Sequence, residues 1–296
     1  MAPRIITRPD FDGIVCAVLL KEALGRDTPV LWAQPNQIQN GEVRIGKEDI
    51  LANLPFYGEC QLWFDHHVSN AIEKQPDGLF RIAPSAAGLV FEYFRRRLDH
   101  RFQELVQQTD KIDSAQLTLD EILHPERYDY ILVSMTLSAD PTPDQRYWDH
   151  LVTLLQHHTI DHVLADPEVR AHCDRVELEN KAYKHHLQNH TQIIEKVSLT
   201  DFRDITPVPN GNRFLVYSLF PDTIVNIKIY HEYDKTAVKI GHSIVNRKCL
   251  VNVGQLLAKY GGGGHRGAGA CRLSNETSDQ ILLQILDILK QNSPEA

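Results

Sequence analysis

The sequence predicts an α/β fold: an N-terminal domain with a mostly parallel sheet flanked by helices, a helical connector, and a smaller C-terminal α/β domain. Three observations carry this prediction. The chain opens on a strand, a tight polar loop and a long apolar run. A second short apolar run ends directly on three ionisable residues, and after residue 198 the texture changes to strands. With 296 residues and 42% hydrophobic content, the chain is long enough to divide into two cores. The expected boundaries are 1–140, 141–197 and 198–296.

In order along the chain, Arg4-Ile5-Ile6-Thr7 reads as a strand, Arg8-Pro9-Asp10-Phe11-Asp12-Gly13 as a loop, and Ile14 to Leu24 as a helix. Ile50 to Leu54 and Gln61 to Phe64 are short apolar runs, the second meeting Asp65-His66-His67. Polar groups at strand ends matter because open α/β sheets bind ligands at that edge. Ser85 to Leu98 and Arg101 to Gln108 have helical spacing. A polar helical pattern runs from about Pro141 to Val197, with a break near Pro167. Beyond it, Arg213 to Leu219, Ile224 to Tyr230 and Thr236 to Ile240 read as strands, and Asn275 to Lys290 as the last helix.

Composition narrows the function. The net charge of −8 argues against coating long nucleic acid, whose affinity comes from neutralising many phosphates. Short anionic ligands need only a local basic site. No apolar stretch reaches the length of a membrane span, and the first residues do not read as an export signal. Five scattered cysteines without paired spacing suit a reducing, cytoplasmic setting.

Asp10 and Asp12 put two carboxylates on one sharp turn, a pattern shared by helix caps and metal sites. Asp65-His66-His67 is more specific, because carboxylate oxygen with imidazole nitrogen suits manganese, iron or zinc. Near the C-terminus, Gly261 to Gly264 followed by His265 and Arg266 offers exposed backbone N–H groups beside cations. Such a run reads as a phosphate cradle (Gly262, Gly263, Gly264) or as a hinge. Upstream, Ser243 is a candidate donor and Arg247 a candidate phosphate fork or an ordinary surface cation. His186 and His190 share a helical face, in polar surroundings that suggest solvent rather than metal.

The order Thr7 to Gly13, Asp65-His66-His67, Asp110 or Asp113, then Gly261 to Gly269 resembles the DHH phosphoesterases along nearly the whole chain. Its second domain resembles the DHH-associated C-terminal domain, and the nearest branch is exopolyphosphatase-like or short-oligonucleotide hydrolases. The resemblance implies a hydrolase holding one or two divalent cations, usually manganese, on Asp10, Asp12, Asp65, His66 and Asp110, with Asp113 the alternate. It places His67 near the scissile phosphate, and the C-terminal domain over the substrate. It implies a short oligonucleotide, nucleotide phosphate or polyphosphate as substrate, no long nucleic acid or membrane as partner, and a homodimer among the assemblies its relatives form.

Two positions depart from that pattern. Arg8 and Ile6 stand where a metal-binding histidine is normal, and Asn53 where a bridging aspartate is normal. A guanidinium cannot ligate a cation and an amide oxygen is a weaker ligand than carboxylate. Arg8 is therefore a candidate phosphate-binding group beside the catalytic candidates Asp65 and His67. The alternative function is a phosphate- or nucleotide-binding protein that has lost hydrolysis.

Overall fold

The computed structural model describes residues 3–73, 76–137 and 144–294. The chain divides into two units, 1–117 with 125–175, and 118–124 with 176–296. The expected 140/141 boundary lies outside the described residues. Of the expected connector, residues 144–175 fall in the first unit and 176–197 in the second.

The first unit is built on five parallel strands, β1 (Ile5–Thr7), β2 (Val30–Trp32), β3 (Ile50–Ala52), β4 (Leu62–Asp65) and β5 (Gly78–Phe80), in the order β2-β1-β3-β4-β5. Its helices are α1 (Phe11–Leu24), α2 (Pro35–Gln39), α3 (Ala86–Tyr93) and α4 (Phe102–Asp113). After α5 (Leu119–Leu123), which belongs to the second unit, come α6 (Asp129–Met135), α7 (Gln145–His157) and α8 (Ile160–Ala165). Helix α9 (Pro167–His190) runs from the first unit into the second.

Every residue of β1 and β3 is buried, as a parallel sheet covered on both faces requires. Helix α1 is buried around its whole circumference from Phe11 to Leu20 and, beyond Asp12, carries only apolar or small side chains there, so it presents no face to water. It packs against α3, α4 and α7. The parallel register aligns Thr7 with Ala52 and Ala52 with Phe64. The next residues, Arg8, Asn53 and Asp65, therefore emerge side by side at the carboxyl edge of the sheet.

The second unit holds a six-stranded sheet in the order β10-β11-β9-β8-β7-β6. Its elements are β6 (Thr191–Ile194), β7 (Val197–Asp201), α10 (Leu215–Leu219), β8 (Val225–Glu232), β9 (Lys235–His242), α11 (Val253–Ala258), β10 (Gly263–His265), β11 (Ala268–Ser274) and α12 (Ser278–Gln291). Only β7 and β8 pair in parallel. Val225, Ile227, Ile229, Val238, Ile240, Cys271 and Leu273 form a core with Val253, Leu256 and Leu257 of α11 and Leu282, Ile285 and Leu289 of α12.

Three expected elements differ. The helical pattern does not persist to Val197: Thr191-Gln192-Ile193-Ile194 is β-branched and pairs with β7 through a tight turn in which Glu195 takes φ +55°. Arg213 to Leu219 is not a strand. Its apolar core closes into the short helix α10, with Ser218 Oγ donating to Leu215 O, because an apolar run this short carries no decisive period. The glycine run, expected to avoid strand geometry, contributes Gly263 and Gly264 to β10. Among the described residues no helix is long and apolar enough to cross a membrane, and no disulfide joins any of the five cysteines.

Candidate active site

Asp10 and Asp12 sit at the start of α1 with different jobs. Asp10 is the N-cap, its Oδ1 accepting from Gly13 N at 2.9 Å, so the helix-cap reading holds for this residue. Oδ1 also accepts from Asn53 Nδ2 at 2.8 Å, and Oδ2 pairs with Arg8 Nε at 3.1 Å. Gly13 is required here, since a Cβ would lie 1.9 Å from Arg8 O. Asp12 is 1% exposed and lies against the start of α3, accepting from Ala86 N at 2.9 Å on Oδ2 and Ala87 N at 2.7 Å on Oδ1. Burial pushes the Asp12 carboxyl well above its ordinary range, with Asp113 and Asp10 adding to the rise, against the two backbone bonds.

His66 follows β4. Its Nδ1 lies 3.0 Å from Ala83 O, and donation to that carbonyl leaves a lone pair on Nε2. Nε2 is buried without a hydrogen-bond partner, 3.6 Å from Asp12 Oδ2 and 3.3 Å from Asp113 Oδ2. Asp12, His66 and Asp113 thus form a metal-competent group, and Asp65, His66 and His67 a second, each with ligand atoms within 4.8 Å. The buried Nε2 lone pair has no donor and faces two carboxylate oxygens, an arrangement that a divalent cation would satisfy.

The fully buried Asp65 has its oxygens engaged locally. Oδ1 accepts from His66 N at 2.8 Å and from His67 N at 3.3 Å and lies 2.8 Å from His67 Nδ1, while Oδ2 accepts from Asn70 Nδ2 at 2.5 Å. The bond from Asp65 raises the His67 pKa, burial opposing it. Asp110 accepts from Ser85 Oγ at 2.5 Å and belongs to neither metal-competent group, whereas Asp113, one helical turn on, does. Burial raises the Asp110 pKa, and the Ser85 bond works against it. Sequence reading placed a helix from Ser85 but gave no role to its first N–H groups, those of Ala86 and Ala87, which hold Asp12. The available signal was Ser85, an N-cap residue before an apolar helical run.

In the second unit, Gly264 takes φ +148° and a Cβ there would lie 2.3 Å from Ala268 O, so this glycine permits the β10–β11 contact. Gly262 lies just before β10, and no atom comes within 4 Å of a Cβ built on Gly263. His265 ends β10; Arg266 Nη2 donates to Leu250 O at 3.2 Å. Ser243 is buried and accepts from Asn246 N at 2.9 Å, and Arg247 Nε donates to Ile244 O at 3.0 Å. His186 and His190 lie with their rings edged toward Phe202, and no metal-competent group includes them among the described residues.

No family profile and no curated protein sequence matches the chain. Solved structures do. The chain is similar to a pGpG-specific phosphodiesterase, PggH, from Vibrio cholerae, at 29% identity and TM-score 0.84 over 99% of this chain and all of that one. It is also similar in fold to an exopolyphosphatase-related protein from Bacteroides fragilis, at 12% identity and TM-score 0.57 over 98% of this chain and 93% of the other. A third is RecJ from Thermus thermophilus in complex with Mn2+, at 13% identity and TM-score 0.63 over 98% of this chain and 52% of that protein.

Proposed function

The chain is a DHH-family protein by fold and motif order, and we propose that it is a metal-dependent phosphodiesterase acting on a short 5′-phosphorylated dinucleotide of the pGpG type. The observation that carries this reading is the orphaned Nε2 of His66 between Asp12 and Asp113. Those three residues would hold the cation, manganese in the first instance. When bound, a divalent cation polarises a phosphoryl oxygen and activates water. The chain's own groups do the rest. Asp65 fixes the His67 ring through Nδ1 and favours its protonated form, which would donate a proton to the leaving oxygen as the phosphodiester opens. Arg8 presents its guanidinium to the phosphate. Asp12 is set by the start of α3, which holds its Oδ2 3.6 Å from His66 Nε2, where both would ligate a cation.

The second unit supplies substrate contacts in this reading, through Gly262, Gly263, Gly264, His265, Arg266, Ser243 and Arg247. The domain division 1–140, 141–197 and 198–296, a cytoplasmic location suited to cysteines without disulfides, and a homodimer readable by light scattering belong to the same proposal.

The test starts from metal-free protein, adds manganese, magnesium or cobalt, and offers pGpG, other dinucleotides, phosphoadenosine phosphate and polyphosphate. Cation-dependent cleavage of the dinucleotide, abolished in His66→Ala, supports the reading. A second reading, a nucleotide-binding protein without hydrolysis, is favoured by Asp10 being satisfied without a cation. Tight dinucleotide binding with no turnover under any cation would establish it.

A further inference from the structure

The two ends of the site differ in a way that fixes how many cations they take. At the Asp12 end the buried His66 Nε2 lone pair has no hydrogen-bond partner and faces carboxylate oxygens of Asp12 and Asp113. The His66 side chain is only 10% exposed, so water does not readily supply the missing donor. At the Asp10 end the carboxylate already has donors and a cation beside it, while the amide oxygen of Asn53 is buried without a hydrogen-bond partner. Asp10 Oδ1 takes two N–H donors, from Gly13 and Asn53, and Oδ2 takes the Arg8 guanidinium.

Asn53 is central to this difference. A carboxylate at position 53, within 2.8 Å of Asp10, would be a like-charge contact needing a cation between the two. The amide donates instead, so the contact is favourable as it stands. Asn53 also tolerates the left-handed backbone, φ +55°, that the turn after β3 imposes. A second cation on Asp10 would have to displace Arg8, whose fixed positive charge is already there. Arg8 is about two-fifths exposed, and its charge acts on His67, so it is open to a ligand beside the proposed proton donor.

We infer that this site takes a single divalent cation, on Asp12, His66 and Asp113, and that Arg8, anchored by Asp10 and Asn53, supplies the second positive charge to the substrate phosphate. The inference rests on the phosphoesterase reading above and adds the metal count and the role of Arg8. Asp10 is then a positioning residue for Arg8 rather than a ligand.

Equilibrium dialysis of the whole chain against saturating manganese, with elemental analysis, reads the count. Electron paramagnetic resonance reads whether the ions are isolated or coupled. One ion per chain with the hyperfine pattern of isolated Mn(II) is expected. The double substitution Arg8→His with Asn53→Asp is expected to bind a second ion and give an exchange-coupled spectrum. Calorimetric titration of the manganese-loaded protein with 5′-GMP reads Arg8. Arg8→Gln should weaken GMP by about tenfold or more with the manganese count unchanged.

Two ions in the wild-type chain would overturn the inference and leave the metal-dependent reading intact. No bound ion would overturn both. GMP affinity unchanged in Arg8→Gln would remove the role given to Arg8. These outcomes need no folded double variant, since the wild-type count and the single substitution decide them.

Discussion

Asp65 holds two backbone N–H groups, the Asn70 amide and the His67 ring with one carboxylate, so this one side chain orients the segment that carries His66 and His67. Because the Asp65 bond raises the His67 pKa, the protonated acid is present below that raised value and is lost as pH rises through it. Asp65→Asn should move the alkaline limb of the rate profile to lower pH, read from kcat against pH. At the same scale, Lys228 in the second unit shows the opposite sign. Burial, with Lys239 opposite it in register, pushes its ammonium down to about 8. The unfolded chain then binds the extra proton between that value and 10.5, so folding stability rises with pH across the window, and below it the charge is a standing cost. Lys228→Met should stabilise the protein at pH 7 by up to about 3 kcal/mol, with the gain shrinking toward pH 10.5 in urea melts.

Among the elements, the glycine run separates two uses of the same residue. Gly264 lies at positive φ against Ala268 O, whereas Gly263 faces open space. Gly264→Ala should cost about 2 kcal/mol or more in denaturant unfolding and Gly263→Ala well under about 1 kcal/mol. Four glycines in a row announce close approach but not which of them makes it, because that depends on the partner strand. Helix α10 makes a related point. The run Arg213 to Leu219 is apolar enough for either state, and local bonds such as Ser218 Oγ to Leu215 O favour the helix. By contrast, the body of α1 was legible from Ile14 on, since eight successive apolar or small positions from Gly13 to Leu20 leave no competing period, while its first turn at Phe11 was read as loop.

At the level of the whole chain, a cation bound only by the folded site couples metal to stability. Manganese at about a hundred times its dissociation constant should add about 3 kcal/mol, seen as a rise in Tm that chelator reverses and His66→Ala blunts. The sequence by itself determined the α/β class, the strand-end position of Asp65-His66-His67, and the motif order that points to phosphoester chemistry. Those features depend on local period and on apolar runs, which a single chain displays directly. Tertiary structure alone decided the pairings. Asp110 and Asp113 lie one turn apart on α4, and only the approach of Ser85 and His66 gives the first a hydroxyl donor and sets the second against the His66 ring. Likewise Arg8, Asn53 and Asp65 are distant in sequence, and the parallel register brings them to one sheet edge. Whether a carboxylate awaits a cation or is already satisfied depends on which donors reach it, and those donors come from strands and helices far away along the chain.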